Sequence, residues 1–276
     1  MGGSASSSEP GKTRFDDIYD RPDPRAYFQR LGPLAYEIPH HAQEVFRRIR
    51  EERSAASGGV PVTVLDVCCS YGINAALLNH DLTLDDLYAH YTGAEALSPT
   101  RAELVDRDKE FYRHHRRADA GRVIGLDTAS NALRYALDVG LLDEAYAENL
   151  EERPPGAALR RALATTGLIT LTGGGSYITH RTFGALLEAA RMPVWVCAFV
   201  LRTVNYRPVA ELFEAHGLVT ESDPSWTYPQ RLFTSSVEQA DAIERVRRAG
   251  EDPAGRESEG RYYARLYLSR PRPRAS

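Results

Sequence analysis

Two aspartates stand where chemistry can use them. Asp66 closes the apolar, β-branched run VTVLDV (62–67), and Asp127 closes VIGLD (123–127). In an open α/β sheet the carboxyl ends of the strands border the ligand crevice. A carboxylate there offers two acceptor oxygens, enough for two hydroxyls of one sugar. Asp66 is followed by the turn CCSYG (68–72) and then by INAALLN (73–79), which reads as a helix. Glycine is the usual residue where a turn brings backbone against a ligand. Here only Gly72 remains. Cys68 and Ser70 either touch a ligand or, as small side chains, pack a tight turn.

Other candidates lie farther along the chain. TGGGSYITH (172–180) has three glycines that allow close approach of backbone to a ligand. Its Tyr177 can set a ring face against a cation, a contact worth ~1–2 kcal/mol when desolvated, or pack on the helix that follows. The stretch 19–43 is rich in Tyr, Pro and His and offers Tyr27, Tyr36, His40 and His41 as parts of a cap. Thr203, Asn205 and Tyr206 follow a predicted strand, on the side where ligands bind. PSWTYPQ (224–230) adds aromatics. No second Cys or His cluster has ligand spacing, so no metal site is expected. Cys197 lies inside an apolar strand and reads as packing.

These residues need elements to hold them. Residues 15 to about 53 read as helical, broken by SAASGG (54–59) before the first strand. The segment 81–120 is long for a loop and carries helical pieces, so it reads as an insertion. Strands are predicted at 122–127, 144–150, 167–174, 193–201 and 218–223, and a last one near 261–270. Amphipathic helices lie between them. Apolar strands alternating with such helices predict a parallel sheet covered on both faces.

Composition narrows the partners. The chain has 276 residues, 42% of them hydrophobic, enough for a substantial core. A net charge of −4 gives no general attraction to nucleic acid or anionic membrane. YRHHRR (112–117) is the one basic cluster and reads as a solvated helix face. No apolar run is long enough to span a bilayer. Three cysteines, two of them adjacent, make no disulfide framework and fit a reducing cytoplasm. MGGSASSSEPGK at the start reads as a disordered terminus.

The turn, the second acid and the element order together resemble the class I S-adenosylmethionine-dependent methyltransferases. That family's first motif runs acid, glycine, any residue, glycine, any residue, glycine. Asp66 matches the acid and Gly72 the last glycine, while Cys68 and Ser70 replace the first two. Asp127 matches the ribose-binding acid. Asn149 in AENLEE (147–152) falls where the family often reads the adenine amine. LITLTGG (168–174) matches the fourth strand, AHGLVTES (215–222) a late helix–strand junction and YYARLYLSR (262–270) the closing hairpin strand. S-adenosylmethionine carries no phosphate, so a Cys–Ser turn suits it better than a dinucleotide.

The resemblance implies a Rossmann-like, doubly wound, mostly parallel seven-stranded sheet. A helical cap at 15–60 precedes a cofactor domain at 61–272 with an insertion at about 81–120. It implies S-adenosylmethionine as cofactor. The residues that would hold it are Asp66, Cys68, Ser70, Gly72, Asn74, Asp127, Thr128, Asn149, Leu150, Thr172 and Gly173. Tyr177, Tyr27 and His40 become catalytic candidates, and Tyr36, Thr203, Asn205 and Tyr206 candidates for contact with a small-molecule substrate. The expected activity is methyl transfer to a small molecule in bacterial secondary metabolism. The alternatives are cyclisation of S-adenosylmethionine to azetidine-2-carboxylate or 1-aminocyclopropane-1-carboxylate with release of methylthioadenosine, and ligand binding without catalysis. Oligomeric state is not legible in the sequence.

Overall fold

The structure is a computed structural model and describes residues 15–272. The expected disordered terminus, residues 1–14, lies outside the described residues. In chain order, α1 (Asp16–Tyr19), α2 (Arg25–Leu31) and α3 (Ile38–Ala55) precede β1 (Thr63–Val67) and α4 (Ile73–Asn79). Next come α5 (Leu84–Thr92), α6 (Ala94–Leu97) and α7 (Arg101–His115), then β2 (Val123–Asp127), α8 (Ser130–Asp138) and β3 (Glu144–Ala147). They are followed by α9 (Ala157–Leu163), β4 (Thr166–Thr172), α10 (His180–Ala189), β5 (Trp195–Leu201), α11 (Arg207–Ala215) and β6 (Leu218–Glu221). The chain closes with β7 (Tyr228–Leu232), α12 (Ser236–Arg248) and β8 (Arg261–Pro271).

The strands form one sheet in the order β3-β2-β1-β4-β5-β8-β6, with β7 beside β8. β1 to β5 are mutually parallel, and β8 runs antiparallel to β5, β6 and β7. Strand order reverses between β1 and β4, so the ligand crevice of this topology lies above their carboxyl ends. The sheet has eight strands, one more than the sequence predicted. The added strand is β7, whose Pro229 cannot donate to a ladder and sits at a register shift; such a residue belongs on an edge.

Both faces are covered, which is why β4 is buried along its whole length. Alternation along β1 sorts its side chains: Val64 packs toward the helices that include α3, α4 and α8, whereas Leu65 and Val67 pack toward α9, α10 and α11. Each fully buried Leu or Ile of these layers contributes about 1.5–3 kcal/mol. Asp66 follows Val64 in the alternation and so faces α4.

The expected helix over 15–53 is broken into three. Pro22 and Pro24 separate α1 from α2, since the residue before a proline avoids the helical region. A 3-10 turn at Gly32–Leu34 and Ala35, left-handed at φ 47°, then redirect the chain into α3. α12 is also absent from the sequence reading. Its start is capped by the Ser235 hydroxyl, which accepts from the Glu238 N–H at 3.1 Å.

The segment 81–120 carries the expected helices. Thr83 with Asp86, and Thr100 with Glu103, form capping boxes that start α5 and α7. A buried network anchors both helices to α8. Asp108 accepts from the Tyr135 hydroxyl at 2.6 Å and pairs with His90 at 2.6 Å, while the Tyr91 hydroxyl meets those of Tyr112 and Tyr135.

Candidate active site

A cavity of ≈ 480 Å³ lies above the carboxyl ends of β1, β2 and β4. Its floor begins with the turn after β1. Cys68 and Ser70 have φ of 56° and 45°, the left-handed region that glycine favours. The turn therefore keeps a glycine-loop path while presenting side chains, at a backbone cost of about 1–3 kcal/mol for each residue. Glycines elsewhere make room for them. A Cβ on Gly174 would lie 2.4 Å from that of Cys68, and a Cβ on Gly125 would lie 2.8 Å from Sγ of Cys69. Burial pushes both thiols well above their ordinary value, so they stay neutral.

The same turn holds the roof. The Tyr71 hydroxyl donates to the Ile18 carbonyl at 2.8 Å and accepts from the Arg21 N–H at 2.8 Å. Ser70 Oγ donates to the Tyr19 carbonyl at 3.5 Å. α1 is thereby bound across the cavity by residues that replace or neighbour the missing glycines. At its far end Asp20 accepts from the Asn131 N–H at 2.6 Å, in the first turn of α8.

The two acids have different places. Asp127 lines the cavity, and its carboxylate accepts N–H groups of Ser70 at 2.8 Å, Thr128 at 2.7 Å and Ala129 at 3.0 Å. Burial raises its pKa, although those three donors oppose the rise. Asp66 does not line the cavity. It is 1% exposed beneath the floor and accepts from Asn74 at 3.0 Å and Thr170 at 2.8 Å. Burial raises it to about 7. Asn74 also bonds Thr172, and both of these line the cavity.

The roof is aromatic. Tyr19, Tyr27 and Tyr36 all line the cavity, with ring centroids 5.9 Å apart for Tyr19–Tyr27 and 6.2 Å for Tyr27–Tyr36. The Tyr36 hydroxyl lies against Gly173, where a Cβ would approach it to 2.7 Å. Burial raises all three tyrosines, so none is a base near neutral pH. Tyr177 lines the mouth and is half exposed.

Thr128, Asn149, Leu150, Thr172 and Gly173, each expected to hold the cofactor, also line the cavity. Five other residues do not. Gly72 is left-handed at φ 76° and starts α4, where a Cβ would press on Ala136 and Leu141. His40 lies in a separate groove beside Tyr88 and Leu84, because α3 turns that face outward. Asn205 accepts from the Arg207 N–H at the start of α11, and Tyr206 stacks on Tyr267 at 4.1 Å in the core. Thr203, between β5 and α11, likewise lies outside the cavity wall.

Several lining residues escaped the sequence reading. Tyr19 belongs to α1 and Phe15 and Asp20 flank it; their only signal was the tyrosine-rich start. Glu148 precedes the predicted Asn149. Gln230 and Arg231 come from β7, whose segment was read as a wall of aromatics; Trp226 instead faces solvent. Among the described residues, no group of three or more His, Cys, Asp or Glu could hold a metal ion, and no helix is long and apolar enough to cross a membrane.

No family model and no curated protein sequence matches the chain. Among solved structures it is similar to magnesium protoporphyrin IX methyltransferase (ChlM) from Synechocystis PCC 6803 with bound SAM, at 10% identity over 94% of this chain and 92% of that one, TM-score 0.42. It is similar to the O-methyltransferase TomG from Streptomyces achromogenes, involved in tomaymycin synthesis, at 12% identity over 93% and 90%, TM-score 0.42. It is similar to the YcgJ protein from Bacillus subtilis at 10% identity over 85% and 99%, TM-score 0.46. The fold assignment rests on the strand order, on the antiparallel β8 between β5 and β6, and on the left-handed turn after β1. The chain has a Rossmann-like, doubly wound, mostly parallel α/β fold.

Proposed function

We propose that the cavity binds S-adenosylmethionine and that the chain is a small-molecule methyltransferase. The observation that carries this reading is the pairing of Asp127, at the end of β2, with a glycine-like turn after β1, across one roofed cavity. The residues present fit the group. Asp127 Oδ1 already accepts two N–H groups and Oδ2 one, which leaves Oδ2 a lone pair for a ribose hydroxyl, Asn149 and Leu150 border the adenine end, and tyrosine rings suit a sulfonium. When bound, S-adenosylmethionine supplies an activated methyl group. The chain then has little covalent work to do. Tyr19, Tyr27 and Tyr36 exclude water and orient the reacting centre, and the half-exposed Tyr177 borders the entrance for an acceptor.

A second reading is favoured by one observation. The cavity is small within the roughly 300–1,000 Å³ range of ligand pockets, and among the described residues neither His nor Lys lines it. A site sized for one ligand suits intramolecular cyclisation by attack of the neutral α-amine, its ammonium proton first released to solvent, on the γ-carbon. That attack forms a C–N bond, breaks the C–S bond and releases methylthioadenosine and azetidine-2-carboxylate.

Incubation with S-adenosylmethionine alone, followed by mass analysis, separates the readings. Methylthioadenosine without acceptor supports cyclisation. S-adenosylhomocysteine formed only with an added acceptor supports methyl transfer. Tight binding without turnover supports a binding protein, and absence of binding contradicts all three.

A further inference from the structure

Among the described residues, Arg231 is the one cationic side chain lining the cavity, and it is 4% exposed. Its guanidinium is held in place on several sides. Nη1 donates to Glu238 Oε2 at 3.2 Å and to the Leu232 carbonyl at 2.8 Å, and Nη2 donates to Glu238 Oε1 at 2.7 Å. Two rings lie beside it, with Cζ 5.2 Å from the Phe15 centroid and 4.8 Å from that of Tyr262. A guanidinium has five N–H groups in a fixed fork. Glu238 takes the end formed by Nη1 and Nη2. Among the described residues, no acceptor meets Nε, so the side edge of Nε and the second Nη2 hydrogen is left. Two parallel N–H groups on one edge are the geometry that binds a carboxylate bidentately.

The position of that edge gives the ligand its direction. α1 runs along the roof. Its Phe15 end covers Arg231, and its Asp20 end is tied to α8 just past Asp127. Tyr19 lies between and feels the charges of both Arg231 and Asp127. Gln230, next to Arg231, reaches Gly173 at the end of β4, its Nε2 being 3.5 Å from where a Cβ would stand. Sugar-binding acid, tyrosines and guanidinium thus follow one another along the cavity. S-adenosylmethionine has the same order: ribose, sulfonium, amino acid.

Resting on the reading above, we infer that the Nε–Nη2 edge of Arg231 anchors the α-carboxylate of S-adenosylmethionine. This makes β7, the strand absent from the sequence reading, the element that selects a ligand bearing an amino-acid tail. Glu238 and the two rings pre-orient the fork, so little side-chain freedom remains to be lost on binding.

The test is calorimetric titration with three ligands: S-adenosylmethionine, its decarboxylated analogue and methylthioadenosine. The parent protein should prefer S-adenosylmethionine over the decarboxylated analogue by about ten- to a hundredfold. Arg231→Lys keeps a cation beside Glu238 but loses the planar edge, and the double variant Arg231→Gln/Glu238→Gln removes the pair together. In both, the preference should fall to within about threefold, with methylthioadenosine affinity unchanged. A preference that survives in the variants overturns the anchor. So does a parent that binds S-adenosylmethionine without preferring it, a result that needs no variant and points to an acceptor's carboxylate or none. If none of the three ligands binds, the reading of the cavity fails, and the anchor with it.

Discussion

The Tyr71 hydroxyl donates to the Ile18 carbonyl across 2.8 Å, joining the turn after β1 to the roof over the cavity. The same oxygen accepts from the Arg21 N–H, so one side chain satisfies two backbone groups of the segment that closes the site. Tyr71→Phe removes both bonds and leaves the ring in place. Each lost bond costs about 0.5–1.5 kcal/mol net. The cost falls on a short element, so S-adenosylmethionine affinity should drop about five- to a hundredfold while the thermal midpoint shifts by only a few degrees. Calorimetry beside a melting curve checks this. Unchanged affinity would mean that the roof does not need the latch.

A second expectation concerns Cys68 and Gly174. A Cβ on Gly174 would stand 2.4 Å from that of Cys68, too close for either backbone to accept. Gly174→Ala should destabilise by about 1–3 kcal/mol through overpacking. Cys68→Gly, which also relieves a left-handed φ of 56°, should recover most of that loss in the double variant. Denaturant unfolding of the four proteins in a double-mutant cycle measures it. Additive effects would show that the two residues do not press on one another.

Asp66 makes stability depend on pH. Burial raises it to about 7 from an ordinary 3.8. Between those values the folded chain keeps a proton that the unfolded chain gives up. Stability from this group is therefore full below about pH 4 and is lost as pH rises through about 7, by at most about 4 kcal/mol. Asp127 is also raised by burial and acts in the same direction. Asp66→Asn isolates the first contribution: urea unfolding at pH 5, 6, 7 and 8 should slope less in the variant. Parallel slopes would contradict a buried, proton-holding Asp66.

Tyr206 supplies a control. It was a substrate-binding candidate, yet it is 5% exposed, stacks on Tyr267, and among the described residues its hydroxyl has no hydrogen-bond partner. Tyr206→Phe removes a buried polar group that nothing satisfies. It should leave ligand affinity unchanged and be neutral or stabilising by about 1 kcal/mol. A clear loss of turnover would return β5's far end to the site.

How much of this was readable in advance depends on distance along the chain. Asp127, Asn149, Leu150, Thr172 and Gly173 each sit at the end of a strand, and a run of apolar residues reveals where a strand ends. Tyr19 and Phe15 were not legible because their function comes from α1 lying across the cavity, which the Tyr71 latch decides through tertiary contact. Arg231 was still less so. β7 is five residues with a proline, and it becomes a strand only by pairing with β8, about thirty residues later in the chain. Gly72 shows the opposite error: the motif position was recognised, but its freedom of φ serves the packing of α4 on α8. Likewise, Asp66 occupies the motif's acid position but lies under the floor, holding Asn74.

The most direct test is a crystal structure of the protein with S-adenosylhomocysteine. The account predicts a ribose hydroxyl within hydrogen-bond distance of Asp127, the sulfur among Tyr19, Tyr27 and Tyr36, and the amino-acid tail at Arg231. A nucleoside bound elsewhere, or lying in the cavity with its ribose away from Asp127, would contradict it.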